Sequence, residues 1–148
     1  MEPKLKPVDL FYEEVGQGTP LILIHGYPMD HTVWQPILPG LRKCARVITP
    51  DLRGFGKSPV TSGTYSMRIM AEDILCLMDR LKLEKAVLVG HSMGGYIALA
   101  FAHAYPGRLS GLGLVASQAE ADAPERRHAR LNIADDVERK GVRVVADG

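Results

Sequence analysis

The sequence predicts a three-layer α/β/α fold around a mostly parallel sheet, and three observations carry that prediction. Apolar runs recur at 21–24, 46–49 and 85–90, as expected of strands covered on both faces of a parallel sheet. Segments of helical periodicity lie between them, and strands alternating with helices imply right-handed βαβ crossovers. The loops after these runs hold His25-Gly26, Asp51-Leu52-Arg53 and Ser92. All three therefore fall at the carboxyl ends of strands, where such sheets bind ligands.

Taken in order, residues 8–15 read as an early strand ending in the Gly16-Gln17-Gly18 turn. Leu21 to Ile24 is the second strand, leading into His25-Gly26-Tyr27-Pro28. A short helix is expected within 32–41, with Pro36 and Pro39 limiting its regularity. The third strand, 46–49, runs into the glycine-rich loop 50–58. Ser66 is placed to cap a helix reaching about Lys82. Its apolar residues Met67, Met70, Ala71, Ile74, Leu77, Met78 and Leu81 recur at three- and four-residue steps. Arg68, Glu72, Asp73, Asp79 and Arg80 are assigned to the opposite, solvent face. Methionines at this spacing are core filler rather than a cofactor box.

Residues 85–90 form the next strand, and 93–105 are apolar on nearly all sides, as in a buried helix. Pro106-Gly107 ends it. Leu109 to Ala116 reads as a further strand, with Gly111 and Gly113 admitting a close neighbour. From Glu120 the chain turns rich in Ala, Arg, Asp and Glu, which suits one or two polar amphipathic helices.

The chain has 148 residues, 46% of them hydrophobic and 24% charged, the proportions of an ordinary soluble globular protein. A formal net charge of +1 gives no electrostatic reason to expect nucleic acid or an anionic membrane as partner. Residues 1–7 lack the apolar core of a signal peptide, and the apolar stretch from Tyr96 to Tyr105 is too short to span a bilayer. Cys44 and Cys76 form no C-x-x-C pair and read as reduced, buried small hydrophobes. The expected compartment is the cytoplasm.

The chemistry concentrates at Gly90-His91-Ser92-Met93-Gly94. This G-x-S-x-G follows an apolar run and opens a helix, the strand–turn–helix setting in which the motif sets out a nucleophile. The turn forces Ser92 into a sparsely populated backbone conformation, and a Cβ at Gly90 or Gly94 would crowd it. A serine that merely capped the helix would not need glycines on both sides.

Together His25-Gly26-Tyr27-Pro28, Asp51-Leu52-Arg53-Gly54-Phe55-Gly56-Lys57-Ser58 and Gly90-His91-Ser92-Met93-Gly94-Gly95 resemble the N-terminal half of the α/β-hydrolase family, in its order and approximate spacing. The resemblance covers roughly residues 8–118. It is nearest to small carboxylesterases and enol-lactone hydrolases. It implies residues 1–118 as the N-terminal part of the hydrolase core and 119–148 as the start of a helical cap. It also implies Ser92 as the nucleophile, with the backbone N–H groups of Tyr27 and Met93 as the oxyanion hole. His25, Gly26, Gly90, His91 and Gly94 would support the elbow and its facing loop. Asp51 and Arg53 read as a loop ion pair in which Asp51 takes backbone N–H groups. Phe55, Tyr27 and Trp34 are candidates to line the pocket.

The family's acid and base follow later strands, and no residue here matches them. Asp122 and His128 have the right order but lie six residues apart in the cap-like tail. The sequence therefore resembles half to two-thirds of a hydrolase, with the C-terminal part of the fold missing. Single α/β domains commonly reach about 200–250 residues. The implied function is serine-dependent hydrolysis of small carboxylic esters or lactones without metal or organic cofactor. This chain alone is expected to be inactive. The alternatives are a non-catalytic binding scaffold and a cofactor-free haloperoxidase or perhydrolase. The uncovered edge at 109–116 suggests a homodimer.

Overall fold

Alternate residues of each central strand feed two different cores. Side chains in a strand point to opposite faces with period two. Ile22, Ile24, Ile48 and Leu88 accordingly join one apolar cluster, while Leu21, Leu23, Val47 and Val89 join a second. In the computed structural model, which describes residues 6–146, this alternation is what makes three layers. The read of residues 1–5 for a signal peptide, and the outer limits drawn at residues 1 and 148, fall outside the described residues.

The strands are β1 (Tyr12–Val15), β2 (Thr19–Ile24), β3 (Ala45–Pro50), β4 (Ala86–His91) and β5 (Leu109–Val115). They form one sheet in the order β1-β3-β2-β4-β5. β1 runs antiparallel to β3, and the other neighbours are parallel. From β2 the chain crosses to β3 on one side and then returns past β2 to β4 on the other. The crevice at the carboxyl ends of β2 and β4 is therefore the topological switch point, where open α/β sheets hold ligands.

One face is covered by α2 (Met67–Arg80) and α3 (Met93–Ala104), which bring Met70, Ile74, Met78, Ile97 and Phe101 into the larger core. Ser66 caps α2, its side chain accepting the Ile69 N–H at 3.2 Å. The other face is covered by a single 3-10 turn, His31–Trp34, and by α1 (Leu38–Leu41), through Trp34, Leu38 and Leu41. The expected helix of 32–41 is thus two pieces, with Pro36 between them and Pro39 in the first turn of the second.

Three readings need correction. Asp73 is only 1% exposed, not on the solvent face of α2. It stands three residues from Met70 and four from Leu77, so helical spacing itself puts it on the buried stripe. Residues 8–11 form no strand, because Val8 N–H and Phe11 N–H donate to Asp73 Oδ1 and Ser58 Oγ instead of a neighbouring strand. Cys44 is exposed and Cys76 half-buried, so neither is a core residue.

The chain divides into two compact units, the first ending at Gln118 and the second starting at Ala119. In the second, α4 (Pro124–Lys140) and α5 (Arg143–Ala146) bury no residue. Leu131 and Ile133 are two positions apart and so fall on different sides of α4, which leaves no apolar stripe. Among the described residues no helix is long and apolar enough to cross a membrane.

Candidate active site

Ser92 is the single residue between the end of β4 and the start of α3. Its backbone sits at φ 49°, ψ −115°. A non-glycine residue there carries strain of about 1–3 kcal/mol that the surroundings must hold in place. They hold it from three sides. Ser92 N–H donates to Val115 O at 2.9 Å, Ser117 Oγ donates to Ser92 O at 2.9 Å, and Gly95 N–H donates to the same carbonyl at 2.9 Å. The Ser92 side chain makes no capping bond to α3, which rules out the helix-cap reading.

The chain around this bend has no room for a methyl group. A Cβ on Gly90 would stand 2.5 Å from Gly95 N and nearer still to Gly94 O. A Cβ on Gly94 would stand 2.6 Å from His25 O and nearer still to Ile24 O. α3 thus lies directly against the end of β2.

The turn that follows β2 faces the elbow. Met29 N–H donates to Gly26 O at 3.0 Å, closing a four-residue turn over a cis Tyr27–Pro28 peptide. A Cβ on Gly26 would meet His91 Nδ1 at 2.8 Å and Ser92 Cβ at 3.1 Å, so this backbone packs against Ser92 itself. His25 is fully buried and bridges two loops. Leu52 N–H donates to His25 Nε2 at 2.9 Å, and Nδ1 lies 2.9 Å from Gly26 O. Because Nε2 must accept, Nδ1 carries the proton and donates to Gly26 O. Burial pushes the His25 pKa below its usual 6.5, which favours this neutral form. His91 packs edge-on against Trp34, and Tyr27 and His25 both pack edge-on against Phe55. These contacts bring Tyr27, Trp34 and Phe55 around the elbow.

Asp51 and Arg53 do not pair with each other. Asp51, fully buried, accepts from His31 N–H at 2.8 Å and His31 Nδ1–H at 2.7 Å through Oδ1, and from Lys57 N–H at 2.8 Å through Oδ2. Arg53 reaches Asp73 on α2 instead, with both groups buried, and this partner raises the Arg53 pKa. The sequence reading missed Asp73, Ser58, Ser117 and the Glu13–His31 contact of 3.3 Å. Only Asp73 left a signal, through its helical spacing. Asp30, His31 and Asp51 are the described residues that gather enough ligand atoms, within 4.8 Å of one another, to hold a cation. Asp51 accepts the hydrogen bonds above through both oxygens, and Asp30 Oδ1 accepts from Thr32 N–H and Thr32 Oγ1.

None of the five histidines hydrogen-bonds Ser92 among the described contacts. His25 and His31 are committed as above, His103 is exposed, and His128 Nδ1 bonds Pro124 O at 2.8 Å. Asp122 is held by Arg130 at 2.7 Å.

A strand–elbow–helix over a parallel sheet, with a strained serine facing a glycine turn, invites comparison with known proteins. The family model described as the alpha/beta hydrolase fold matches residues 19–145. This chain belongs to that family. A thermophilic esterase from Thermogutta terrifontis, solved with malate bound, superposes with a TM-score of 0.87 at 45% identity over 93% of this chain and 51% of its own. The enol-lactonase of Burkholderia xenovorans gives 0.84 at 31% identity, over 93% of this chain and 54% of its own. A putative non-heme chloroperoxidase of Synechocystis sp. is 44% identical over 88 residues, 59% of this chain and 32% of its own. The chain thus spans about half of these solved relatives and about a third of the curated one.

Proposed function

We propose that the chain carries the nucleophile of a serine hydrolase acting on small carboxylic esters or lactones. The observation that carries this reading is the backbone of Ser92, held at positive φ between strand and helix without any capping role. Fixing a serine in a strained turn has a functional rationale when its Oγ must be presented to a substrate. In the reaction Ser92 Oγ attacks the ester carbonyl, whose electron pair moves onto oxygen. Tyr27 N–H, in the turn packed on Ser92, and Met93 N–H, at the first turn of α3, stabilise that oxyanion. Each such donor contributes about 3–4 kcal/mol to the transition state. The alcohol leaves, and water releases the acyl group from Ser92.

The Ser92 proton needs an acceptor, and the five histidines here have other positions or partners. The described residues place no general base or orienting acid on Ser92, so turnover requires residues outside them. Gly26, Gly90 and Gly94 allow the close approach of turn and elbow, and His25 and His91 buttress it. No step calls for a metal or organic cofactor. The two unpaired cysteines, one exposed, fit a reducing compartment, and we place the protein in the cytoplasm.

The esterase and lactonase relatives support the substrate class, and the chloroperoxidase relative keeps perhydrolysis as the second reading. A scaffold that binds without turnover is the third, favoured by the lack of a base and an acid on Ser92 among the described residues. In a form of the hydrolase that includes its general base, the test compares a p-nitrophenyl ester, a lactone, and peracid formation from acetate and peroxide, each with Ser92→Ala as control. Ester or lactone turnover that vanishes in the variant supports the proposal. Turnover that survives the substitution overturns it.

A further inference from the structure

Residues 6–11 form no strand, yet they are bonded along their length to the body of the domain, chiefly through the buried Arg53, Asp73 and Ser58 side chains. Arg53 Nη2 donates to Lys6 O at 2.9 Å and Val8 N–H to Asp73 Oδ1 at 2.9 Å. Arg80 Nη2 donates to Leu10 O at 2.7 Å. Phe11 N–H donates to Ser58 Oγ at 2.9 Å, and Phe11 O accepts from Asp51 N–H at 2.9 Å. Leu10 is 2% exposed and anchors the segment in the larger core.

The groups this strap meets are the ones that shape the loop after β3. Ser58 Oγ, while accepting from Phe11, donates to Asp51 O at 2.6 Å and so staples the loop's two ends together. The next residue, Leu52, gives its N–H to His25 Nε2, and His25 gives its Nδ1–H to Gly26 O. A continuous run of hydrogen bonds, buried from Ser58 onward, thus leads from Phe11 through Ser58, Asp51, Leu52 and His25 to the turn that packs on Ser92. Buried polar networks of this kind hold one geometry only while every member is satisfied.

We infer that the strap, residues 6–11, is a positioning element for the Gly26–Tyr27 turn, acting through Ser58 and the 51–58 loop on His25. Its catalytic meaning rests on the reading of Ser92 proposed above; the coupling itself does not. Ser58 is the link with the cleanest chemistry, because its single hydroxyl serves both strap and loop.

The experiment is amide hydrogen exchange by NMR on the 148-residue chain, comparing Leu52 with Ile74, a core residue within helix α2. Ser58→Ala should raise Leu52 exchange by at least about tenfold and leave Ile74 unchanged, the pattern of local rather than global opening. Ser58→Thr, which keeps the hydroxyl, should restore the parent rate. Deleting residues 1–11, which removes the Phe11 N–H that meets Ser58, should reproduce the Ser58→Ala pattern and shift the His25 ring nitrogen resonances. If the shortened chain does not fold, the two Ser58 variants decide. Unchanged Leu52 exchange in Ser58→Ala, or Leu52 and Ile74 rising together, would overturn the inference, as would failure of Thr to restore it. None of these readouts depends on Ser92, so their failure is distinct from a failure of the hydrolase reading.

Discussion

Substituting alanine at Gly90 or Gly94 probes the packing that creates the elbow. The atoms a new Cβ would meet at Gly90 are Gly95 N, at 2.5 Å, and Gly94 backbone atoms closer still. The first of these is about 0.9 Å inside the 3.4 Å where ordinary contact begins. At Gly94 the obstacles are the carbonyls of Ile24 and His25. All are backbone, so no rotamer change can relieve them; α3 must move away from β2 and β4. Overpacking that cannot relax costs about 1–3 kcal/mol and occasionally more, and displacing a whole helix puts both sites at the upper end. We therefore expect a loss of about 3 kcal/mol at each site. At roughly 2–4 °C per kcal/mol for a chain of this size, that is a Tm lower by about 6–12 °C. Gly40 is the control, since a Cβ there meets nothing within 4 Å. Gly40→Ala, within α1, should instead be neutral or gain about 0.5–1 kcal/mol. The assay is urea unfolding followed by circular dichroism, with the midpoint and slope fitted for each variant. If Gly90→Ala and Gly94→Ala match the parent, the elbow is not held by backbone contact and the argument fails.

Three further outcomes follow from the same contacts. Because the folded-state pKa of His25 lies below 6.5, folding favours its neutral form, and this contribution is complete above that pH. Stability should therefore fall as pH drops from about 6.5 toward the depressed value, and His25→Asn should flatten that part of the urea-midpoint profile; an unchanged profile would refute it. Asp73→Ala leaves the Arg53 guanidinium buried without its partner and should cost about 3–5 kcal/mol in urea unfolding, with Arg53→Met on the same background recovering part of it. Leu112, Leu114 and Val115 of the edge strand β5 are each about two-fifths exposed. The isolated chain should consequently sediment as more than a monomer, and Leu114→Lys should shift it toward monomer; a monomeric parent would refute pairing through this edge.

The fold was legible because its rules are local. Apolar runs at 21–24 and 85–90 specify buried strands, Ser66 specifies a helix start, and the glycines around Ser92 specify a bend that no other residue tolerates. What escaped the reading depends on pairing across the chain. Asp73 lies on the apolar stripe by spacing, but its charge suggested solvent until Arg53, 20 residues away, appeared beside it. The same distance separates His31 from Asp51, which looked like a partner for Arg53 only because the two are near in sequence. Residues 8–11 read as the start of a strand, and nothing local says that the N–H groups of Val8 and Phe11 will find Asp73 and Ser58 instead. At the site, the motif specified the elbow and the glycine turn. It could not indicate that His25 links that turn to the loop after β3, because each hydrogen bond involves a residue with no distinguishing neighbour.

The most direct test of the account is to treat a form of the hydrolase that includes its general base with a fluorophosphonate and locate the adduct by peptide mass mapping. An activated nucleophile at the elbow predicts one dominant adduct, on Ser92, abolished in Ser92→Ala and weakened when Gly26→Val displaces the facing turn. Phosphonylation centred on any other residue, or labelling undiminished in Ser92→Ala, would contradict the claim that Ser92 is the group this fold is built to present.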